Sequence, residues 1–267
     1  RPLLFTGAVV VGGLGLAAIY RDEEKRKQGF QWPGQRRPQL AALDVMGWRF
    51  TIPQLVCGGI IGLNTIVFAC WTRSLRGSQS LEAAYPWLRK FFLHYPFSGR
   101  ALPLVGSAFS HATFAHFIFN MMALWSFGPN LARDLGPENF IAFYFSAAAL
   151  TSLGGMLVKL GTSCTAPSLG ASGAVLWMAA TTAFRFPDAQ FGIIFLPFFT
   201  LPASTMILGI ASLDCAGLVL GWKMFDHGAH LAAVLCGYIF VNGGYQAGVN
   251  LQQQVVFQWR QFRKSIK

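Results

Sequence analysis

The sequence predicts an all-α membrane protein that crosses the bilayer several times. Hydrophobic residues make up 54% of the 267 positions and charged residues only 12%, whereas soluble domains carry about 25% charged residues. Several apolar runs reach the roughly 20 residues that a helix needs to cross a bilayer. The Lys and Arg residues behind the net charge of +11 flank these runs, mainly at 21–49 and 260–267, where such residues set topology and meet lipid headgroups. Because they form no single basic face, we expect no nucleic-acid partner.

The first apolar run, Leu3–Tyr20, has 18 residues, and the charged residues 21–27 follow it at once. A secretory signal peptide is the competing interpretation. Only one Arg precedes the run and the charged stop is immediate, so an anchor helix is favoured. Residues 28–49 contain several glycines and prolines, which predict a loop.

The second span is predicted at Phe50–Thr72, because Trp48 and Trp71 stand near its two ends, where interfacial aromatic residues lie. In the long connection from Arg73 to Pro103, aromatic residues alternate with cations. Two interpretations of this connection stay open. It lies in the plane of the membrane interface, or it is an ordinary folded loop.

Five further spans are predicted at about 112–132, 140–160, 169–186, 203–222 and 227–241. The apolar stretch 191–222 has 32 residues, too many for one straight crossing. Its Pro197 and Pro202 predict a membrane-embedded loop before the sixth span. The resulting regions are an N-terminal transmembrane helix with a charged loop at 1–49, a six-helix core at 50–245, and a polar, basic tail at 246–267.

The five cysteines are odd in number, and no two of them have CxxC spacing. Thiols in apolar runs usually behave as small hydrophobic groups. The sequence also lacks a metalloprotease spacing such as HExxH. We therefore expect no structural disulfide, no metal site and no cofactor.

Polar and ionisable residues inside the apolar runs are the candidates for function, because burying them in hydrocarbon is costly. His116 and Asn120 are four residues apart, so one face of a helix presents both. Ser172 opens the fifth span, and His230 lies in the seventh. Taken singly, each has a plainer explanation. Small residues around a serine are a common packing pattern, and a lone histidine can be a structural donor, a metal ligand or a proton relay.

Together, these four side chains predict acyl transfer. A serine hydroxyl such as that of Ser172 becomes a nucleophile when a base takes its proton, and the neutral imidazole of His230 suits this task near pH 7. Side chains of His116 and Asn120, with backbone N–H groups at the start of the Ser172 helix, can then stabilise an oxyanion. No other interpretation uses all four groups.

Three short motifs resemble those of the rhomboid family of intramembrane serine proteases. They are Gly-Ala-Ser-Gly at 170–173, His116-x-x-x-Asn120 preceded by His111, and Ala229-His230. The resemblance covers residues 105–240 well. An extra N-terminal helix before the six-helix core, a one-plus-six arrangement, is similar to mitochondrial members of the family.

The resemblance implies roles for the candidate residues. Ser172 would be the nucleophile and His230 the general base, in a dyad without an acid that orients the histidine. His116, Asn120 and the Ser172 backbone N–H would form the oxyanion hole. It also implies single-span proteins of the mitochondrial inner membrane as substrates, with the lipid bilayer as the protein's surroundings.

Some positions depart from the family pattern. Leu176 stands where bacterial members often have a tyrosine that stacks on the histidine, so we expect apolar packing to hold His230. Leu102-Pro103 replaces a Trp-Arg pair of the first loop. We expect Asp214, in the sixth span, to make a structural hydrogen bond, and Asp226 to take no catalytic part.

Two questions stay open at this stage. A catalytically silent rhomboid-like scaffold or transport protein is the alternative function, and the distance between Ser172 and His230 distinguishes it from a protease. The second question is orientation. The side with loop 21–49 holds 13 of the Lys and Arg residues and the opposite side eight, which faces Ser172 away from the matrix. A presequence entering first would face it towards the matrix.

Overall fold

The computed structural model describes residues 1–27, 42–45, 48–76, 80, 83–193 and 196–266. Its α-helices in chain order are α1 (Pro2–Lys27), α2 (Ile52–Ser74), α3 (Pro86–Phe92), α4 (Pro103–Gly106), α5 (Phe114–Leu135), α6 (Pro137–Gly161), α7 (Ser172–Arg185), α8 (Ala203–Leu220), α9 (His227–Ile239) and α10 (Tyr245–Ser265). Two antiparallel pairs of strands accompany them, β1 (Ala42–Val45) with β2 (Trp48–Thr51) and β3 (Gln190–Ile193) with β4 (Leu196–Pro202). The protein is therefore mainly helical, as predicted.

Four helices, α1, α2, α6 and α8, are long and apolar enough to cross a membrane. They correspond to the first, second, fourth and sixth predicted spans. The other three predicted spans are helical too, but α7 has 14 residues and α9 has 13, fewer than the roughly 20 that a straight crossing needs. The one-plus-six arrangement of seven spans therefore stays a prediction.

Two segments predicted as loops contain strands. Residues 42–51 hold β1 and β2, while residues 28–41, 46 and 47 of the predicted loop lie outside the described residues. The predicted membrane-embedded loop holds β3 and β4, with residues 194 and 195 outside the described part. Strand pairing satisfies backbone N–H and C=O groups where the chain is not helical, which matters most beside apolar surroundings.

Local signals in the sequence set the starts of the helices that bear the candidate residues. The Thr113 hydroxyl accepts a hydrogen bond from the His116 backbone N–H at 3.1 Å and so caps α5. The Asp226 carboxylate accepts one from the Ala229 N–H at 3.2 Å and caps α9. Such caps satisfy N–H groups that the first helical turn leaves without partners.

Helix α6 lies at the centre of the bundle and contacts α1, α5, α7 and α9. Small side chains let these helices approach closely. A Cβ atom on Gly154 of α6 would collide with the Ala232 side chain of α9. A Cβ on Gly237 of α9 would lie 2.7 Å from the Ala180 Cβ of α7. Gly154 therefore lies at the contact of α6 with α9, and Gly237 at the contact of α9 with α7.

The residues predicted as a polar tail form helix α10, which packs against α1. Arg260 pairs with Asp22, and Arg263 pairs with Glu23. The Gln252 side chain is 7% exposed. Its Oε1 atom accepts a hydrogen bond from Arg21 Nη2 at 2.6 Å, and its Nε2 atom donates to the Leu14 carbonyl and to Asn139 Oδ1. Polar contacts thus join α10 to α1.

Replacing Gln252 by Ala should destabilise the protein. The change leaves partly buried polar partners on α1 and α6 unsatisfied, and leaving such a group without a partner costs about 1–3 kcal/mol when it is fully buried. Thermal or denaturant unfolding in a mild detergent would measure the loss. Gln246→Ala is the matched control, because Gln246 is exposed and its side chain bonds to the exposed Asn250 of the same helix. Equal stability of the two variants would contradict the bridging role of Gln252.

Candidate functional site

Ser172 and His230 meet where helices α7 and α9 begin. Ser172 is the first residue of α7, and His230 lies in the first turn of α9. The Ser172 Oγ atom is 3.0 Å from the His230 Nε2 atom. This is the hydrogen-bond distance at which an imidazole can take a proton from a hydroxyl.

An acid contacts the histidine, which differs from the dyad that the family resemblance implied. The Asp214 Oδ1 atom of α8 lies 3.2 Å from the His230 Nδ1 atom. Asp214 is 4% exposed. Because a carboxylate only accepts hydrogen bonds, Nδ1 of His230 carries the proton in this arrangement. Nε2 is then free of a proton and accepts the hydrogen bond from Ser172.

A second histidine, absent from the sequence-based candidates, shares the same carboxylate oxygen. The His227 Nδ1 atom lies 2.6 Å from Asp214 Oδ1. His227 is buried, and its Nε2 atom has no hydrogen-bond partner in the described part of the chain. A Cβ on Gly217 would collide with the His227 ring, so this glycine leaves the space that the ring occupies. Asp214 is thereby fixed by two imidazoles.

The His230 ring is held by polar contacts at both nitrogens rather than by apolar packing alone. Leu176 packs with the hydrophobic core. The aromatic ring near His230 is that of Phe225, which precedes Asp226, the N-cap of α9. The Phe225 ring centroid lies 6.1 Å from that of His230, with the planes tilted by 36°. The expectation that apolar packing replaces the missing tyrosine is therefore incomplete, because it left out Asp214 and Phe225.

His116 lies beside the serine, across Gly170. A Cβ on Gly170 would be 2.8 Å from His116 Nε2 and 3.7 Å from Ser172 Oγ. Gly170 has a φ of +125°, a conformation that residues with side chains rarely adopt. Glycine is therefore needed here both for its backbone conformation and for the space next to the two side chains.

Asn120 lies one turn further along α5 than His116. It is 7% exposed, and its Nδ2 atom donates to the His116 carbonyl at 2.8 Å. The amide has a second N–H, so this bond leaves one donor over. The structure thus puts His116 next to Ser172 and ties Asn120 to His116.

The start of α7 supplies backbone donors at the same place. The first helical hydrogen bond at this end runs from the Val175 N–H to the Ala171 carbonyl at 3.0 Å, and no side chain caps the helix. The N–H groups of Ser172, Gly173 and Ala174 therefore have no partner from their own helix. Such N–H groups can bind an anion or a developing negative charge.

A partly buried ion pair fixes the segment that leads to Ser172. Lys159 Nζ lies 2.7 Å from Asp226 Oδ2 and 2.7 Å from Ser168 Oγ, and the Ser168 hydroxyl donates to the same carboxylate at 2.5 Å. Ser168 also exchanges two backbone hydrogen bonds with His94 of the long first loop. Burial and the nearby Lys159 charge lower the pKa of His94 to about 4. Asp226 therefore has a positional role, and its cap on α9 links this segment to His230.

Sequence reasoning missed two partnerships. Asp214 was visible as an acid inside an apolar run, a position that usually signals function, but its contact with two histidines of the next helix was not. Lys159 lies near the end of the predicted fourth span, where cations are common, and the sequence did not reveal its ion pair with Asp226. Within the described ranges, no group of three or more His, Cys, Asp and Glu residues has the arrangement of a metal site.

The helical bundle, with four helices long and apolar enough to cross a membrane, is that of a polytopic, all-α membrane protein. A serine and a histidine lie in contact within it. The chain belongs to the rhomboid family, since the Rhomboid domain matches residues 98–246. Both the family and the fold class predicted from the sequence are thereby confirmed.

The relatives of this chain include mitochondrial rhomboid proteins. The human protein "Presenilin-associated rhomboid-like protein, mitochondrial" is 32% identical over 98% of this chain and 71% of its own length. "Presenilin-associated rhomboid-like protein A, mitochondrial" of Danio rerio is 35% identical over 84% of this chain. "Rhomboid protein 1, mitochondrial" of Saccharomyces cerevisiae is 34% identical over 71% of it. The chain spans 57% of the zebrafish protein and 53% of the yeast protein.

Replacing Asp226 by Asn should reduce stability at neutral pH and flatten its dependence on acid. Burial alone would raise the pKa of Asp226, but the charge of Lys159 and the hydrogen bonds from Lys159, Ser168 and Ala229 hold it below its usual value. A carboxyl pKa lowered by folding adds stability above the ordinary value of about 4, and this stability is lost as pH falls through the folded-state pKa. Charged hydrogen bonds contribute about 1.5–3 kcal/mol.

Unfolding midpoints between neutral pH and about pH 3 would test this, because that window brackets the ordinary carboxyl pKa. Wild type should lose more stability on acidification than Asp226→Asn. Asp134→Asn is the control, since the Asp134–Arg185 pair is exposed and exposed pairs contribute about 0–1 kcal/mol. Parallel acid curves for wild type and Asp226→Asn would rule out the proposed contribution.

Proposed function

We propose that this chain is an intramembrane serine endopeptidase, a multi-pass protein of the mitochondrial inner membrane. The observation that carries the proposal is the 3.0 Å hydrogen bond between Ser172 Oγ and His230 Nε2. Membership of the rhomboid family and the mitochondrial names of the relatives support the reaction class and the compartment. The roles proposed for the residues rest on the geometry of the site and on the membership of the rhomboid family.

Acylation begins when Ser172 Oγ attacks the carbonyl carbon of a substrate peptide bond. His230 Nε2 takes the hydroxyl proton, so the ring becomes an imidazolium that still donates from Nδ1 to the Asp214 carboxylate. The carbonyl oxygen gains the negative charge of a tetrahedral intermediate. When the C–N bond breaks, the departing amine takes the proton from His230 Nε2, and the acyl group remains on Ser172.

Deacylation repeats these steps with water. His230 takes a proton from a water molecule that attacks the ester carbon, and it returns this proton to Ser172 Oγ as the ester C–O bond breaks. The charged oxygen in both halves accepts hydrogen bonds from the Ser172 N–H and from the side chains of His116 and Asn120. Donors fixed in advance stabilise this charge most, because they need not reorganise during the reaction.

Asp214 acts as a positioning residue. Its carboxylate holds the proton of His230 on Nδ1, and this leaves Nε2 ready to accept the serine proton. It also stabilises the imidazolium that forms during attack, as an aspartate does in serine proteases with three catalytic side chains. His227 shares Asp214 Oδ1 and thereby limits how the carboxylate can turn.

The proposed substrates are single-span membrane proteins. The site lies where α7 and α9 begin, beside helices of membrane-spanning length. A substrate helix must expose its backbone before Ser172 can reach a carbonyl, because helical carbonyls are already hydrogen-bonded. Residues that weaken a helix near the cleavage position should therefore favour cleavage.

Ser172→Ala should abolish cleavage of a model single-span substrate and also labelling by a fluorophosphonate. The change removes the nucleophile but only one oxygen atom from the fold. Gel-based labelling and cleavage in detergent or proteoliposomes would measure it. Ser212→Ala is the control, because the Ser212 hydroxyl donates to the Leu208 carbonyl on an exposed part of α8. Cleavage retained by Ser172→Ala would falsify the proposal, and no labelling of the wild type would favour the silent scaffold.

Asp214→Asn should lower the labelling rate at least about tenfold, since a positioned base contributes about 10²- to 10⁴-fold. An amide can donate to His230 Nδ1, which puts the ring proton on Nε2, where it blocks proton transfer from Ser172. Labelling kinetics would be compared with thermal unfolding of the same samples. Asp188→Asn, in an exposed turn, is the control. A wild-type rate in folded Asp214→Asn would remove Asp214 from the mechanism.

A further inference from the structure

His227 belongs to the polar network around Ser172, but the proposed mechanism gives it no part beyond limiting how Asp214 turns. It is the first residue of α9, and only 5% of its side chain is exposed. Its partner Asp214, on α8, is equally buried. A buried imidazole that bonds to the same carboxylate as the proposed base can affect how that base holds its proton.

One oxygen atom of Asp214 receives both imidazoles, and the two contacts are unequal. His227 Nδ1 lies 2.6 Å from Asp214 Oδ1, whereas His230 Nδ1 lies 3.2 Å from the same atom. Because N–H···O hydrogen bonds usually measure about 2.7–3.2 Å, the first is a short bond and the second a long one. The stronger share of this oxygen therefore goes to His227, although His230 is the residue that bonds to Ser172.

The other oxygen of the carboxylate does not relieve this competition. Asp214 Oδ2 is buried and has no hydrogen-bond partner within the described residues. Both imidazoles consequently draw on Oδ1 alone. A change at one of them must alter the charge that the other one meets.

The surroundings fix the His227 ring in this position. It lies against Gly217 of α8, where a Cβ atom would collide with it, and the ring centroids of Trp222 and Phe225 are 6.3 and 6.2 Å from its own. Its Nε2 atom is buried and lacks a partner in the described ranges. A proton there would be a buried donor without an acceptor, so we expect a neutral ring with its proton on Nδ1, directed at Asp214.

A carboxylate that already accepts one hydrogen bond attracts a second donor less strongly. Each hydrogen bond to the charged form stabilises it where it is. The negative charge of Asp214 stabilises the imidazolium of His230, as in serine proteases with three catalytic side chains. Because His227 takes part of this charge, His230 holds a second proton less tightly. The Nε2 atom of His230 is then free to act as a base at a lower pH than it would be beside Asp214 alone.

The other charged or titratable groups near this network lie on further elements and make other contacts. His116 of α5 is close enough to His230 to feel its charge. Lys159 of α6 is paired with Asp226 at 2.7 Å. Replacing His227 alone leaves these groups in place, so it changes one interaction of Asp214 against a constant background.

We propose that His227 is a positioning residue that sets the pH range in which His230 works, by sharing the negative charge of Asp214 with it. The inference rests on the proposed function, because it concerns the base of the same site. Asp214 orients the His230 ring, and His227 limits how strongly that ring keeps its proton. The His227 proton stays on Nδ1 throughout, so His227 carries none to or from the substrate.

Variants of His227 separate the hydrogen bond from the packing of the ring. His227→Leu removes the donor. His227→Asn keeps one, because the amide nitrogen is the same number of bonds from Cβ as Nδ1 of histidine. Trp222→Phe is the matched packing control, since it alters the ring beside His227 and keeps the donor. His227→Met also lacks a donor and adapts to irregular space, so it replaces His227→Leu if that variant does not fold.

The rate of fluorophosphonate labelling is measured from about pH 5 to about pH 9, a range that brackets the ordinary titration of histidine. In His227→Leu, the midpoint of the acid limb should lie about half to one pH unit higher than in the wild type. This is a three- to tenfold change in proton affinity, the effect of about one net hydrogen bond. His227→Asn and Trp222→Phe should keep the wild-type midpoint. A lower rate at every pH with an unmoved midpoint would show a merely structural role and overturn the inference.

¹⁵N NMR of protein with labelled histidine reads the ring protons without any catalysis. Signals are assigned by their loss in His227→Asn and His230→Asn. We expect the Nδ1–H tautomer for His227 in the wild type, and a His230 titration that moves to higher pH in His227→Leu. If the wild type is not labelled by the fluorophosphonate, the proposed function fails, while this titration still decides the inference. An Nε2–H tautomer of His227 in the wild type, or an unmoved His230 titration in the variant, would overturn it.

Discussion

The close approach of α6, α7 and α9 is the constraint on which the rest of the site depends. Glycine and alanine at the contacts, such as Gly154 against Ala232 and Gly237 against Ala180, let backbones come nearer than larger side chains allow. Two helices can then begin side by side, and their first turns present Ser172 and His230 to each other. Neither helix is long, so the position of its first turn is set by these contacts rather than by the length of the span.

Around this contact, the carboxylates of Asp214 and Asp226 each accept several hydrogen bonds. Asp214 accepts from two imidazoles, and Asp226 accepts from Lys159, Ser168 and a backbone N–H. A lone charge in apolar surroundings is costly, whereas a hydrogen-bonded group with several partners is fixed in direction. The two acids therefore do different work. Asp214 orients the His230 ring, and Asp226 holds the segment before Ser172 to the start of α9.

The sequence was sufficient to predict that Ser172 and His230 lie together and that the protein is helical, because short motifs and apolar runs carry that information locally. It was insufficient for Asp214, whose contact with His230 depends on how α8 is rotated about its axis. It missed the pairing of β3 with β4 because apolar residues and prolines are compatible with several irregular structures. It missed α10 for a related reason. A polar segment forms a helix here because α1 offers it partners 238 residues away, as between Asp22 and Arg260.

The pairing of α1 with α10 has a consequence for how the protein is made. Helix α1 is synthesised long before α10, which carries its polar partners Arg260 and Arg263. Until then, Asp22 and Glu23 have no access to Arg260 and Arg263, and α1 can rest only on the lipid and on whichever helices have already entered. Contacts between distant parts of a chain form slowly, since the intervening chain must first be brought together. The contact between α1 and α10 therefore forms only after all the helices between them have been made.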